Sequence, residues 1–77
     1  DGDDLIFGGD GNDDLNGVGD NDTLFGDNGN DSLDGSTGND RLFGGNDQDL
    51  LDGSFGNDYM DGGAGNDTIM GERGGFD

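Results

Sequence analysis

A single period of nine residues runs through the chain without an insertion, and it limits the fold more than any other feature. Written in nines, the units open at Gly8, Gly17, Gly26, Gly35, Gly44, Gly53, Gly62 and Gly71. Position one is glycine every time, and position four is glycine except at Asp20 and Asp47. Position six is aspartate at Asp4, Asp13, Asp22, Asp31, Asp40, Asp49, Asp58 and Asp67, with Phe76 as the exception. Position eight is apolar throughout: Ile6, Leu15, Leu24, Leu33, Leu42, Leu51, Met60 and Ile69. Four positions held in phase are the mark of a stacked repeat, not of a disordered acidic segment.

Each unit divides into a six-residue loop and a three-residue extended piece. Gly8-Gly9-Asp10-Gly11-Asn12-Asp13, followed by Asp14-Leu15-Asn16, is one example. Glycines at positions one and four are expected to permit positive φ and to let backbone carbonyls converge without a Cβ in the way. Asn, Asp or Gln at position five, as at Asn30 and Asn39, is expected to tolerate the left-handed region and to bond locally. In the tripeptide the middle residue faces opposite to its neighbours, so position eight points inward and positions seven and nine outward. A strand this short with one inward side chain cannot stand alone and must stack on copies of itself.

Composition sharpens this. The 77 residues carry 20 acidic and two basic groups, a formal charge of −18, with no Cys, His, Trp or Pro and only 25% hydrophobic residues. About 2 kcal/mol per buried apolar side chain does not offset the ordering entropy of such a chain, so something it binds must contribute to folding. Disulfides are excluded, and the negative field repels nucleic acid and anionic membranes while attracting cations. No apolar run is long enough for membrane insertion. Carboxylates and bared carbonyls are hard oxygen ligands suited to Ca²⁺, which takes six to eight of them in flexible geometry. Zinc, copper and iron would want imidazole or thiolate. The glycine spacing of an EF-hand loop is absent. Catalysis is not expected: a general base here could only be a carboxylate, and the chain has no His, Cys or Lys to act as nucleophile.

Gly62-Gly63-Ala64-Gly65-Asn66-Asp67-Thr68-Ile69-Met70 fits the pattern G-G-x-G-x-D-x-U-x, with U apolar, at every specified position. Gly8 to Asn16 does likewise. The sequence therefore resembles the RTX (repeat-in-toxin, hemolysin-type calcium-binding) nonapeptide family over its whole length. The resemblance implies an all-β fold, a right-handed parallel β-roll (β-solenoid). It would have 18 residues per turn, two short-stranded sheets and about four turns, with Ca²⁺ held between loops stacked one turn apart. Residues 1–77 then form a single calcium-binding roll, with partial units at 1–7 and 71–77, read as a fragment of a longer array.

Carried over residue by residue, the resemblance implies two columns of metal ligands. Asp13, Asp31, Asp49 and Asp67 stack in one; Asp4, Asp22, Asp40 and Asp58 stack in the other. Backbone carbonyls from the loops would complete each site: Gly8, Asp10, Gly26, Asn28, Gly44, Asn46, Gly62 and Ala64 in the first column. Gly17, Gly19, Gly35, Thr37, Gly53 and Phe55 would serve the second. The pairs 13/31, 31/49, 49/67, 22/40 and 40/58 give about five complete sites. Partial sites are expected at the ends, at Asp4/Asp22 and between Asp58 and the Gly71 loop, where Phe76 offers no carboxylate. Asp20, Asp47 and Gln48 are expected to strain their own loops.

Loops stacked this way bring like charges together, so the calcium-free chain is expected to be largely unfolded. The family further implies a secreted, extracellular bacterial module. It would be exported unfolded by type I secretion, fold on meeting calcium, and contact flanking domains of a parent protein. An alternative function is an adhesive, glycan-binding or self-associating roll of the S-layer or adhesin type. It would use Phe7, Phe25 and Phe43, which recur every 18 residues and are expected to stack on an outer face. Outer-face Asp34 and Asp52 are expected to form a solvated pair.

Overall fold

The computed structural model describes residues 2–70. Eight three-residue strands follow one another: β1 (Leu5–Phe7), β2 (Asp14–Asn16), β3 (Thr23–Phe25), β4 (Ser32–Asp34), β5 (Arg41–Phe43), β6 (Leu50–Asp52), β7 (Tyr59–Asp61) and β8 (Thr68–Met70). Each occupies positions seven to nine of its unit, as the period requires. Odd strands form one parallel sheet in the order β1-β3-β5-β7, and even strands form the other in the order β2-β4-β6-β8. The register is 18 residues at every step, as in Ile6↔Leu24, Leu24↔Leu42 and Leu42↔Met60. The fold is thus a parallel β-solenoid of about four turns, two units to a turn. Among the described residues no helix is long and apolar enough to cross a membrane.

A ladder that continues through the loops holds successive turns together. The position-one N–H donates to a position-nine carbonyl one turn on, as from Gly26 to Phe43 (2.8 Å), and from Gly35 to Asp52 (2.9 Å). Position-seven N–H groups donate to position-six carbonyls one turn back, as from Arg41 to Asp22 (2.8 Å). Position-three N–H groups reach position-two carbonyls one turn back, as from Thr37 to Val18 (3.0 Å) and from Ala64 to Gly45 (3.1 Å). Loop backbone that would otherwise be left to solvent is therefore paired as strand backbone is.

The core is one side chain deep from each sheet. Leu24, Leu33, Leu42 and Leu51 are fully buried and Met60 nearly so, with Ile6 and Leu15 packed against them. Ile69, expected inside, is 48% exposed. It lies on β8, which pairs only with β6, so its outer side has no strand upon it among the described residues.

Positive φ departs from the expected places. It recurs at positions two and four, as at Gly45 (91°) and Gly65 (102°), and not at position one. Asp20 (72°) and Asp47 (74°) adopt it at position four and stay in register. Their carboxylates take up the N–H of the residue one turn back, Gly2 to Asp20 at 2.8 Å and Gly29 to Asp47 at 3.0 Å. Position five is not left-handed either, and its side chains bond across turns rather than locally. The N–H of Asn39 donates to Asn21 Oδ1 (2.7 Å) and that of Asn57 to Asn39 Oδ1 (2.9 Å). Gln48 extends the equivalent row on the other column, its N–H donating to Asn30 Oδ1 (2.9 Å) without distorting the loop.

Candidate metal centre

The position-six aspartates line the inside of the two loop columns, each held by a bond that spans a full turn. In one column the N–H of Asp13 donates to Asp31 Oδ1, that of Asp31 to Asp49 Oδ1 and that of Asp49 to Asp67 Oδ1, each at 2.8 Å. In the other, Asp4 N–H reaches Asp22 Oδ1 (2.7 Å), Asp22 N–H reaches Asp40 Oδ1 (2.8 Å) and Asp40 N–H reaches Asp58 Oδ1 (2.8 Å). One oxygen each of Asp22, Asp31, Asp40, Asp49, Asp58 and Asp67 is thus fixed by backbone.

The second oxygen has no such partner. Oδ2 of Asp13, Asp22, Asp31, Asp40, Asp49 and Asp58 is buried with no hydrogen-bond donor among the described residues. A buried carboxylate oxygen without a donor costs several kcal/mol unless it is neutralised or meets a cation. Asp67 is half-buried and Asp4 exposed, as the ends of their columns.

Position-one glycine follows from these carboxylates. A Cβ on Gly26 would lie 2.6 Å from Asp31 Oδ2 and 2.8 Å from the carbonyl oxygen of Gly44. On Gly8 it would meet Asp13 Oδ2 at 2.8 Å and the Gly26 carbonyl at 3.0 Å; on Gly44, Asp49 Oδ2 at 2.6 Å and the Gly62 carbonyl at 2.8 Å. In this column the unpaired oxygens of Asp13, Asp31 and Asp49 therefore share the space over a glycine with a carbonyl from the next turn. In the second column Asp22 Oδ2 lies likewise over Gly17 and Asp40 Oδ2 over Gly35. Glycine is needed here for close approach, not for φ.

The position-three residues are on the outer rim. Asp10, Asn28, Thr37, Asn46, Phe55 and Ala64 are exposed, and Gly19 is partly so. On one column their side chains bond each other, Asn28 Nδ2 to Asp10 Oδ1 (3.1 Å) and Asn46 Nδ2 to Asn28 Oδ1 (2.7 Å). Among the described residues no three acidic side chains converge as a metal cluster. Any ion held here must draw on pairs of carboxylates together with backbone oxygen. The Asp58/Gly71 site and Phe76 lie outside the described residues.

Charge state reflects the same crowding. Burial raises the Asp40 carboxyl to about 6, with Asp58, Asp22 and Asp34 adding like-charge repulsion and the N–H of Asp22 opposing it. Burial likewise raises Asp31, with Asp13 and Asp27 adding to it, and Asp49, beside Asp67 and Asp31. Asp58 is raised by burial and by Asp52. Asp27, at position two, is thus a neighbour of the Asp31 carboxylate that the period did not mark.

The outer faces are built as the repeat implies. Phe7 and Phe25 stack with ring centroids 5.0 Å apart, Phe25 and Phe43 at 4.9 Å, and Tyr59 closes the row tilted on Phe43 at 5.7 Å. Asp34 and Asp52, expected as a solvated pair, are bridged by the Ser54 hydroxyl, at 3.4 and 3.2 Å.

The family model described as the RTX calcium-binding nonapeptide repeat matches the sequence in four copies, over residues 1–24, 16–51, 25–60 and 44–75. No curated protein and no solved structure matches.

Proposed function

The chain belongs to the RTX calcium-binding nonapeptide repeat family, and on that premise we propose that it is a secreted bacterial β-roll whose folding is coupled to calcium uptake. The observation that carries the reading is the set of six buried Oδ2 atoms without a donor, repeated along both columns. They are hard and anionic, and in the Asp13–Asp31–Asp49 column position-one carbonyl oxygens lie within the same space. This donor set suits Ca²⁺ and offers nothing to a thiophilic metal.

In this reading the position-six carboxylates and the carbonyls of positions one and three hold about five ions, between the pairs 13/31, 31/49, 49/67, 22/40 and 40/58. Bound calcium supplies positive charge where carboxylates are forced together. The chain's residues do the rest. The Oδ1 bonds tie carboxylates such as Asp40 and Asp49 to the neighbouring turn, the glycines keep the space open, and the leucine row fills the core between the sheets. About five divalent ions reduce the charge of −18 to roughly −8.

Such a module would stay unfolded where free calcium is low and fold where it is high, which suits passage through a type I exporter as an extended chain. Contacts with flanking domains and folding of a larger partner sequence belong to the same proposal. The test is the calcium concentration at half-folding, followed by circular dichroism. Extracellular modules bind at roughly 0.1–1 mM, and a midpoint in that range is expected. A midpoint well below a micromolar would allow folding before export and would remove the secretion part of the reading.

A further inference from the structure

Along the outside of the Asp22–Asp40–Asp58 column runs an open groove of about 570 Å³. One wall is the row Asn21, Asn39 and Asn57, with Asp3 at its end accepting the Asn21 N–H (3.0 Å), and the other is Thr23, Arg41 and Tyr59. Its floor is the main chain at position six, whose carboxylates are turned into the loops. We propose that this groove binds a neutral, extended polysaccharide of β-1,4-linked pyranose units, in a site that presupposes the calcium-loaded roll.

The wall of asparagines is a row of uncommitted donors. Oδ1 of Asn21 and of Asn39 is taken by the N–H of the next asparagine in the row, which leaves the Nδ2 groups pointing away from the ladder. Among the described residues these three Nδ2 groups have no acceptor, in contrast to Asn28 and Asn46, whose Nδ2 groups are used within the protein. Arg41 forms no ion pair among the described residues, so its guanidinium adds donors on the facing wall. A chain rich in hydroxyl and ring oxygens supplies what such a row lacks.

Spacing and charge choose among linear ligands. Equivalent donors recur once per turn, about 4.7–4.9 Å apart, a step that the ring separations of 5.0 and 4.9 Å also record. An extended peptide repeats its same-face groups about every 6.6–6.8 Å and falls out of phase within two turns. A β-1,4-linked pyranose chain advances by close to one turn per sugar and turns successive sugars over, so a hydroxyl-bearing edge meets every turn and the same edge every second one. Polyanions, whether polyuronates or nucleic acids, meet a chain whose charge of −18 still stands at roughly −8 with about five calcium ions bound, and the carboxylate of Asp3 in the groove lining. Tyr59 adds an apolar platform, 54% exposed and propped against Phe43 at 5.7 Å. The phenylalanine ladder is less suited to this task, because rings stacked on one another present edges rather than faces.

Cellotetraose is the probe, titrated into the calcium-loaded chain while circular dichroism reports its fold. The expected result is saturable binding by calorimetry, with NMR shifts concentrated in the Asn21, Asn39 and Asn57 side-chain amides. Affinity should rise at least tenfold from cellobiose to cellotetraose. Asn39→Asp keeps an Oδ1 acceptor for the Asn57 N–H but removes the donors, and should weaken binding at least tenfold with the calcium-induced β signal retained. Arg41→Gln should also weaken it, and Phe7→Ser should leave it unchanged. Silent asparagine amides on an intact calcium-loaded roll would overturn the proposal, as would preferred binding of an extended peptide or a polyuronate. A chain that gains no β structure in calcium would instead overturn the calcium reading, and the groove with it.

Discussion

The main-chain N–H of Asp22 donates to Asp40 Oδ1 across a full turn at 2.8 Å, while Asp40 Oδ2 is left buried and unpaired. The two oxygens of one side chain thus do different work. Replacing Asp40 by Asn keeps the acceptor and removes the charge. The calcium-free chain should gain stability, by about 1–3 kcal/mol from relief of a buried anion. Calcium uptake should fall at both sites that Asp40 borders. The β signal in chelator, expected to rise above that of the parent chain, and the half-folding calcium concentration check the two halves, and unchanged calcium dependence would contradict the assignment.

Two kinds of glycine are separable by mutation. A Cβ at Gly35 would sit 2.5 Å from Asp40 Oδ2, whereas at Gly11 it would meet nothing within 4 Å and only the positive φ of 95° opposes it. Gly11→Ala should cost about 1–2 kcal/mol. Gly35→Ala should displace the carboxylate as well, costing about 1–3 kcal/mol in overpacking, and should raise the half-folding calcium concentration several-fold beyond what Gly11→Ala does. Equal calcium midpoints for the two variants would refute the distinction.

Val18 stands at position two with φ of 77°, a conformation costly for a β-branched residue, and its side chain is exposed. Val18→Asn removes that strain without touching the core. Thermal unfolding of the calcium-loaded chain should show a gain of about 1 kcal/mol. No gain would mean that the loop relaxes around the valine.

How much of this could be read in the sequence depends on what the period encodes. The strands, their alternation between two sheets, and the leucine row of Leu24, Leu33, Leu42 and Leu51 follow directly, because inward residues and turn length are both set by the repeat. The reason for glycine at position one did not follow. Frequency marks a glycine but does not say whether it serves φ or close approach, and only Asp31 Oδ2 lying over Gly26 decides it. Position five departs from expectation for a similar reason. An asparagine suits a left-handed turn, but Asn39 bonds the chain 18 residues away, which is visible only once turns are stacked. The exposure of Ile69 reflects its place on a strand with one sheet neighbour, which the pattern at position eight does not carry.

Acidity should move the calcium-free and calcium-loaded states in opposite directions. Burial raises Asp31, Asp40, Asp49 and Asp58 in the fold, Asp40 to about 6 from an ordinary 3.8. Between those values the folded chain binds more protons than the unfolded one, so stability without calcium falls as pH rises through the window. Acidifying from neutral towards pH 4 in calcium-free buffer should therefore increase β structure, while calcium binding weakens as protons compete for the same oxygens. Circular dichroism that loses β signal on acidification without calcium would contradict this.

The most direct test of the central claim counts ions and folding together. Calcium is titrated into the chelated chain at neutral pH and low salt, with native mass spectrometry for stoichiometry and circular dichroism for β content. The account predicts a largely unfolded chain in excess chelator, and uptake of about five ions in step with the appearance of the β signal. A full β signal in excess chelator, or folding with no calcium bound, would contradict it.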